Sequence, residues 1–353
     1  GRPIIFLTVG DPDSPPPAPV LAATIAALQA GRTHYSPIVG YPAVRAAVAA
    51  RHQRQTGVAC DADQVVLVPG AQAGLFAALA CIAGPGDEVI VPEPTYATYP
   101  AVAGVSGATL VTLPLRPERG FHLDPSDLAG RVTPRTRVVW INSPHNPTGA
   151  VMTRGEVEAV AEICRAHDLW CLSDEVYAEL AFAGPHISPY SLAGMAERTV
   201  VVSSLSKSHA MSGFRCGWII GPRPLSGHLF NLILCMLYGG PPVIQDGALV
   251  ALTSDLSEVG QMRAAYQRRA RLMVDRLANC PGVRPIAPEG GMFVLLDVRA
   301  SGQSATDFAL ELLQRESVAV LPCDGFGPSA AGHLRLSLTA DDAVLADVAA
   351  RIA

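Results

Sequence analysis

The stretch Thr199-Val200-Val201-Val202-Ser203-Ser204-Leu205-Ser206-Lys207-Ser208-His209-Ala210-Met211-Ser212-Gly213-Phe214-Arg215 decides how the chain reads. Residues 199–203 form a β-branched, apolar run, the pattern of a strand buried on both faces. A polar loop follows, and it carries Lys207. That lysine is the only one in 353 residues; the other 25 of the 26 basic side chains are arginine. An amine can condense with a carbonyl, whereas a guanidinium stays protonated and is a poor nucleophile. A lone amine at a strand end, in a chain that otherwise uses arginine, is therefore a candidate for chemistry. A plain surface lysine is the ordinary alternative. A phosphate loop of the Gly-Lys-Ser/Thr kind is excluded, because Ser206 precedes the lysine.

Outward from this strand the same texture repeats. Further strand candidates are 65–68, 88–91, 109–113, 137–141, 170–173 and the short 218–220. Helical patterns at 72–83, 95–105 and 154–167 lie between them. Continuous apolar strands alternating with helices predict an α/β domain on a mainly parallel sheet. Beyond about residue 240 the pattern changes. A long helix over 256–277 carries Arg263, Arg268, Arg269, Arg271 and Arg276, which reads as a solvated face. Strands at 291–296, 318–321 and 333–338, a helix at 305–315 and a last helix from Asp341 predict a smaller α+β unit. The Pro-rich, then helical segment 3–29 is expected to fold back onto it. The expected division is 30–240 for the large domain, and 1–29 with 241–353 for the small one.

Composition narrows the class of function. Twenty-six basic against 31 acidic residues give a net charge of −5, which argues against nucleic acid as a partner. Hydrophobic residues make up 49% of the chain, yet its longest apolar stretches, 74–83 and 232–237, fall far short of the roughly 18–20 residues that span a bilayer. No membrane partner is expected. The start, Gly1-Arg2-Pro3-Ile4, has neither an initiator Met nor a signal-peptide pattern and reads as a trimmed terminus. Eight cysteines form no CxxC pair, as suits reduced thiols in the cytoplasm. Cys164, His167 and Cys171 lack a second half-site for metal, so a structural role is expected.

Ligands of α/β sheets bind beyond the carboxyl ends of the strands. The residues that follow each strand candidate here form a coherent set. Gly70-Ala71-Gln72 opens a helix whose free N–H groups suit an anion. Tyr96, Asn146, Asp174 with Tyr177, and Ser204 with Ser206 and Lys207 follow the other strands, and Arg215 stands eight residues beyond the lysine. An anion cradle, an aromatic, an amide, a carboxylate and an amine match the parts of pyridoxal 5′-phosphate: phosphate, flat ring, phenolic oxygen, ring nitrogen and aldehyde.

With these residues in view, the chain resembles the class I/II aminotransferases of the fold-type I pyridoxal-phosphate enzymes over essentially its full length. Ser204-x-x-Lys207 with Gly213-Phe214-Arg215, Asn146-Pro147-Thr148-Gly149 and Asp174-x-x-Tyr177 resemble that family's three markers. The resemblance implies a mainly parallel seven-stranded sheet in the large domain and a smaller α+β domain. It also implies roles. Lys207 would bind the cofactor aldehyde and then move the proton at the substrate Cα. Asp174 would pair with the ring nitrogen; an N-cap is its ordinary alternative. Asn146 and Tyr177 would hydrogen-bond the phenolic oxygen, and Tyr96 would stack on the ring, where a turn residue and two core tyrosines are the alternatives. Ser204, Ser206 and Arg215 would join the N–H groups of Ala71 and Gln72 around the phosphate. Arg335 would clamp the substrate carboxylate, and Gly10 would sit in a loop over the substrate. Tyr35 would reach the phosphate of a neighbouring subunit, which implies a homodimer with shared sites.

The expected reaction moves an amino group from an L-amino acid to a 2-oxo acid by a ping-pong route. Residues 142–149, 204–211 and 234–239 resemble bacterial arginine–pyruvate transaminases in particular. A guanidinium substrate needs a carboxylate, for which Asp11, Asp13 and above all Asp324 are candidates, against the alternative of solvated loop residues. Aspartate, alanine or aromatic amino acids are the alternative donors. A C–S β-lyase or decarboxylase on the same scaffold is the main rival. A regulator would need a DNA-binding segment that this sequence does not show. A dinucleotide oxidoreductase would need a GxGxxG after a strand, and none occurs.

Overall fold

Residues 2–353 are described by a computed structural model. From the N-terminus the chain runs β1 (Ile5–Phe6), α1 (Ala18–Gln29), α2 (Pro42–Thr56), β2 (Val65–Val68), α3 (Ala71–Ile82), β3 (Glu88–Glu93), α4 (Tyr99–Ser106), β4 (Thr109–Pro114), α5 (Pro125–Ala129), β5 (Thr136–Asn142) and α6 (Arg154–Ala166). It continues through β6 (Trp170–Asp174), β7 (Thr199–Ser204), β8 (Gly217–Ile220), α7 (Arg223–Met236), α8 (Pro242–Thr253) and α9 (Ser257–Leu277). The last part is β9 (Arg284–Ile286), β10 (Phe293–Asp297), α10 (Ala305–Glu316), β11 (Val318–Ala319), β12 (Leu321–Pro322), β13 (His333–Ser337) and α11 (Asp342–Ile352).

Seven strands form the large sheet in the order β2-β8-β7-β6-β5-β3-β4. All are mutually parallel except β8, which runs against both its neighbours. The mainly parallel expectation is met. β2, β6 and β7 are buried almost throughout because apolar clusters cover both faces. On one face lie Leu75, Leu79 and Leu229; on another part of the sheet lie Val160, Cys164 and Leu128. Helix α6 begins at a capping box, in which the Thr153 hydroxyl takes the Glu156 N–H and the Glu156 carboxylate takes the Thr153 N–H. A four-stranded antiparallel sheet, β12-β13-β10-β9, carries the smaller unit with α9, α10 and α11 over it.

Several boundaries differ from the sequence reading. The helix expected at 95–105 starts only at Tyr99. Pro100 has no N–H to give to a preceding turn, so it is tolerated in the first turn and not in the interior. The single strand expected at 318–321 is two: β11 pairs with β1, and β12 pairs with β13. The domain division also shifts. Val20 of α1 and Ala248, Ala251 and Leu252 of α8 are buried with Val48, Val65 and Trp218 in the core of the large sheet. Of segment 1–29 only β1 and the loop after it join the small unit, so α1 (18–29) and residues 241–253 do not go to the small unit as expected. Those helices pack on the large domain because the apolar face of α8 meets α2 and α1 packs on α8, partners that sequence periodicity cannot name. Cys164 and Cys171 are buried among apolar side chains, and His167 is exposed at the end of α6.

Candidate active site

Parallel order brings the carboxyl ends of β2, β3, β5, β6 and β7 to one edge of the sheet. The antiparallel β8 starts at that same edge, so Arg215, two residues before Gly217, joins them. Register does the fine placement. Asn142, Asp174 and Val202 are level across three strands, as are Val68, Gly217 and Ser204 across three others.

A cavity of about 190 Å³ opens there, lined by Ala71, Gln72, Tyr96, Asn146, Asp174, Tyr177, Ser204, Ser206, Lys207 and Arg215. Ten of the residues singled out from sequence thus share one wall. At one end is the N-terminus of the twelve-residue α3, whose cap, Gly70, offers no side-chain acceptor. Gly70 sits at φ +81, and a Cβ there would lie 2.2 Å from the Arg215 guanidinium, so the close approach of that cation requires glycine. Arg215 itself is left-handed, at φ 53. Its Nη1 donates to the Ser212 carbonyl at 2.7 Å. Backbone N–H groups, two serine hydroxyls and a guanidinium thus converge on an anion-sized space.

Asp174 lies deeper and is 4% exposed. It accepts from the Tyr99 hydroxyl at 2.6 Å and from the Val176 N–H at 3.3 Å. Among the described residues no Lys, Arg or His pairs with it, and burial pushes its carboxyl up to about 6. Tyr99 stacks on Trp140 with ring centroids 3.9 Å apart, which fixes the hydroxyl. Burial raises both Tyr99 and Tyr177, so each phenol is a donor at neutral pH.

Lys207 donates from Nζ to the Gly10 carbonyl. Burial lowers its amine, Asp11 opposes the shift, and Arg215 and Arg335 add to it. A lowered amine is unprotonated more of the time and hence nucleophilic. Gly10 packs so closely that a Cβ would meet Phe293 at 2.3 Å. Arg335, from β13 of the small unit, reaches across at 5% exposure. Its Nη1 donates to Asn146 Oδ1 at 2.9 Å and its Nη2 to the Thr8 carbonyl at 2.7 Å, while Nε is left without a partner. The guanidinium lies 4.0 Å from the Phe293 ring centroid and 5.2 Å from that of Phe326.

Two expectations stand apart from the cavity. Tyr35 is 84% exposed, its ring lies edge-on to Tyr238, and this chain's own cavity does not include it. Asp324 is exposed on the one-turn segment Cys323–Phe326 and is not among the side chains that line the cavity. The residue that this turn directs inward is Phe326. Asp13 is bound to Arg269 at 2.8 Å and is not free for a substrate.

Sequence reading missed Tyr99, Asn142, Val176 and Ser212, which also line the cavity. Asn142 gives its amide to the Asp174 carbonyl at 3.1 Å and accepts the Asn146 N–H at 2.9 Å, tying two site residues together. Its position as the last residue of an apolar strand was the available signal.

Residues 2–352 match the family model described as aminotransferase class I and II. The chain belongs to that family. It is 53% identical, over all of its length and 90% of the relative's, to the arginine–pyruvate transaminase AruH of Pseudomonas aeruginosa. Among solved structures, an aromatic aminotransferase from Pyrococcus horikoshii superposes with a TM-score of 0.96 at 32% identity, covering 99% of this chain and 94% of the other. The aspartate aminotransferase of Thermus thermophilus with maleate gives 0.94 at 33% identity, covering 99% and 91%. The chain is thus a pyridoxal-phosphate-dependent aminotransferase of fold type I. The cavity fits that cofactor. The buried, cation-free carboxylate of Asp174 suits a protonated ring nitrogen, the α3 end with Arg215 suits the phosphate, and Lys207 suits the carbonyl.

Proposed function

We propose that this aminotransferase takes its amino group from L-arginine and gives it to pyruvate. The observation that carries the reading is the full-length identity of 53% to a transaminase of that name. When bound, the cofactor supplies the carbonyl that receives the amino group and a ring that accepts the electron pair of the substrate Cα–H bond.

The chain's own residues do the rest. Lys207 Nζ holds the cofactor and then carries the proton to and from the Cα position. Asp174 keeps the ring nitrogen protonated, and Tyr99 orients its carboxylate. Asn146 and Tyr177 hydrogen-bond the phenolic oxygen, and Tyr96 covers the ring. Ser204, Ser206, Arg215 and the Ala71 and Gln72 N–H groups hold the phosphate. Arg335 binds the substrate carboxylate in place of Asn146 Oδ1 or the Thr8 carbonyl, and the Gly10 loop keeps water out. For Arg335 the expected result of R335A is a KM for every amino acid raised roughly 10²-fold or more, with cofactor binding intact. Steady-state kinetics with several donors check it; a change confined to one donor would contradict the role.

The guanidinium end falls to exposed carboxylates beyond the cofactor cavity. Asp11 and Asp324 have no ion-pair partner among the described residues. D324A is expected to raise KM for arginine about tenfold while leaving that for alanine unchanged. Equal rises would remove Asp324 from this role. The donor itself is tested by adding each amino acid to the yellow protein and measuring the rate at which the colour is lost. Arginine should rank first, and indifference to arginine would overturn the assignment.

A homodimer with shared sites is part of the same proposal. Leu28, Tyr35 and Tyr238 line one surface groove, and Leu21 and Ile25 are exposed on the same helix as Leu28, an apolar surface that a second copy would cover. We also place the enzyme in the cytoplasm. None of the eight cysteines is in a disulfide, and no helix among the described residues is long and apolar enough to cross a membrane.

A further inference from the structure

Behind Asp174 lies a second buried carboxylate that the reaction does not use. Asp174 lines the cofactor cavity, and Glu175, the next residue, lines a separate cavity of about 20 Å³ on the other side of the chain. Glu175 is 6% exposed. Its Oε1 accepts from the hydroxyls of Ser173 at 2.9 Å and Ser188 at 2.6 Å. Hydroxyls relieve desolvation but carry no charge, and a buried carboxylate needs a cation. His186 provides the candidate: its Nε2 stands 3.3 Å from Oε2, out of line for a hydrogen bond, and its side chain is 9% exposed.

The surroundings offer few alternatives. His52 of α2 faces the same cavity with Nε2 unpartnered and its ring against Tyr190. Arg51 of α2 is engaged by Glu179. Gln55, Ser203 and Ser208 complete the polar lining, and Cys171 lies on the same strand as Asp174. The space has the volume of about one water, between His52 and the carboxylate.

We propose that Glu175 and His186 form a buried charge pair whose balance sets the electrostatic potential at Asp174 and thereby the proton affinity of the cofactor site. Neither residue touches the cofactor; both are positioning residues acting through Asp174, and the inference rests on the role given to Asp174 above. With the imidazolium in place the pair is neutral, and Asp174 alone sets the local field. Without His186 the bare Glu175 charge adds to that of Asp174, and any proton titrating in the cavity is held more tightly.

The test is the pH midpoint of the yellow band of the cofactor-loaded protein, read by absorbance, in H186N, E175Q and the double variant. H186N is expected to raise the midpoint by about half a pH unit or more. E175Q leaves the charge of His186 unbalanced and is expected to bring the midpoint no higher than that of the parent. The double variant should return to it. A mere brace for the 186–188 loop would move H186N and the double variant alike, and that result, or an unshifted H186N, overturns the inference. Should H186N fail to fold, recovery of yellow protein in the double variant carries the same support, and failure of both overturns it. A parent protein with no yellow band overturns the cofactor reading and this inference with it, whereas a yellow parent with an unshifted H186N overturns the inference alone.

Discussion

Lys207→Ala is expected to lower the transamination rate by roughly 10⁴-fold or more while the fold persists. The size follows from the arithmetic of the sequence. No other lysine exists to take over, and none of the 25 arginines offers a free amine at neutral pH. The same substitution should leave cofactor bound only by reversible contacts, so that dialysis strips it. The fold should survive because the Lys207 side chain lines the cavity and its one hydrogen bond goes to the Gly10 carbonyl. Lys207→Arg should be no better, since it keeps the charge and loses the nucleophile. Stopped-flow spectra with a saturating donor check both, and a rate within tenfold of the parent would contradict the role.

Asp174→Asn carries the second large effect, a loss of about 10³-fold in kcat, because the ring nitrogen loses the charge that keeps it protonated. The variant should also behave unusually in stability. The Asp174 carboxyl is raised by burial from 3.8 to about 6, so the cofactor-free protein binds this proton more tightly than the unfolded chain does. Folding stability from this group is full below pH 4 and is lost as pH rises through about 6, a loss on the order of 3 kcal/mol at neutral pH. Asn has no proton to lose. The cofactor-free variant should therefore melt above the cofactor-free parent at pH 7.5, with the difference shrinking towards pH 4.5. Calorimetry across that range checks the sign; a variant less stable than the parent at pH 7.5 would contradict the unpaired-charge account. Bound cofactor supplies the missing cation, so the parent trades stability when empty for a strong site when loaded.

Legibility followed a physical line. Six of the seven strands of the large sheet, all but the half-buried edge strand β4, were readable because burial on both faces leaves continuous apolar runs, and their ends because polar residues follow abruptly. Lys207, Asp174, Asn146 and Tyr177 fell out of that pattern. Tyr99 did not, since its hydroxyl meets a carboxylate 75 residues away, and an aromatic at a helix start looks like core. Glu175 and His186 were equally hidden, because nothing local marks which side of a strand end a carboxylate faces. The placement of α1 and α8 on the large domain depends on which apolar faces meet, and Asp324 on how a one-turn loop rotates. Both are settled by packing rather than by spacing.

The central claim is that one amine holds the cofactor. Borohydride reduction of the yellow protein, followed by digestion and mass mapping, tests it most directly. The expected result is a single reduced cofactor adduct, on the peptide that contains Lys207, and none when the protein has first been converted by its amino donor. A protein that takes up no adduct, or takes it up elsewhere, would contradict the assignment.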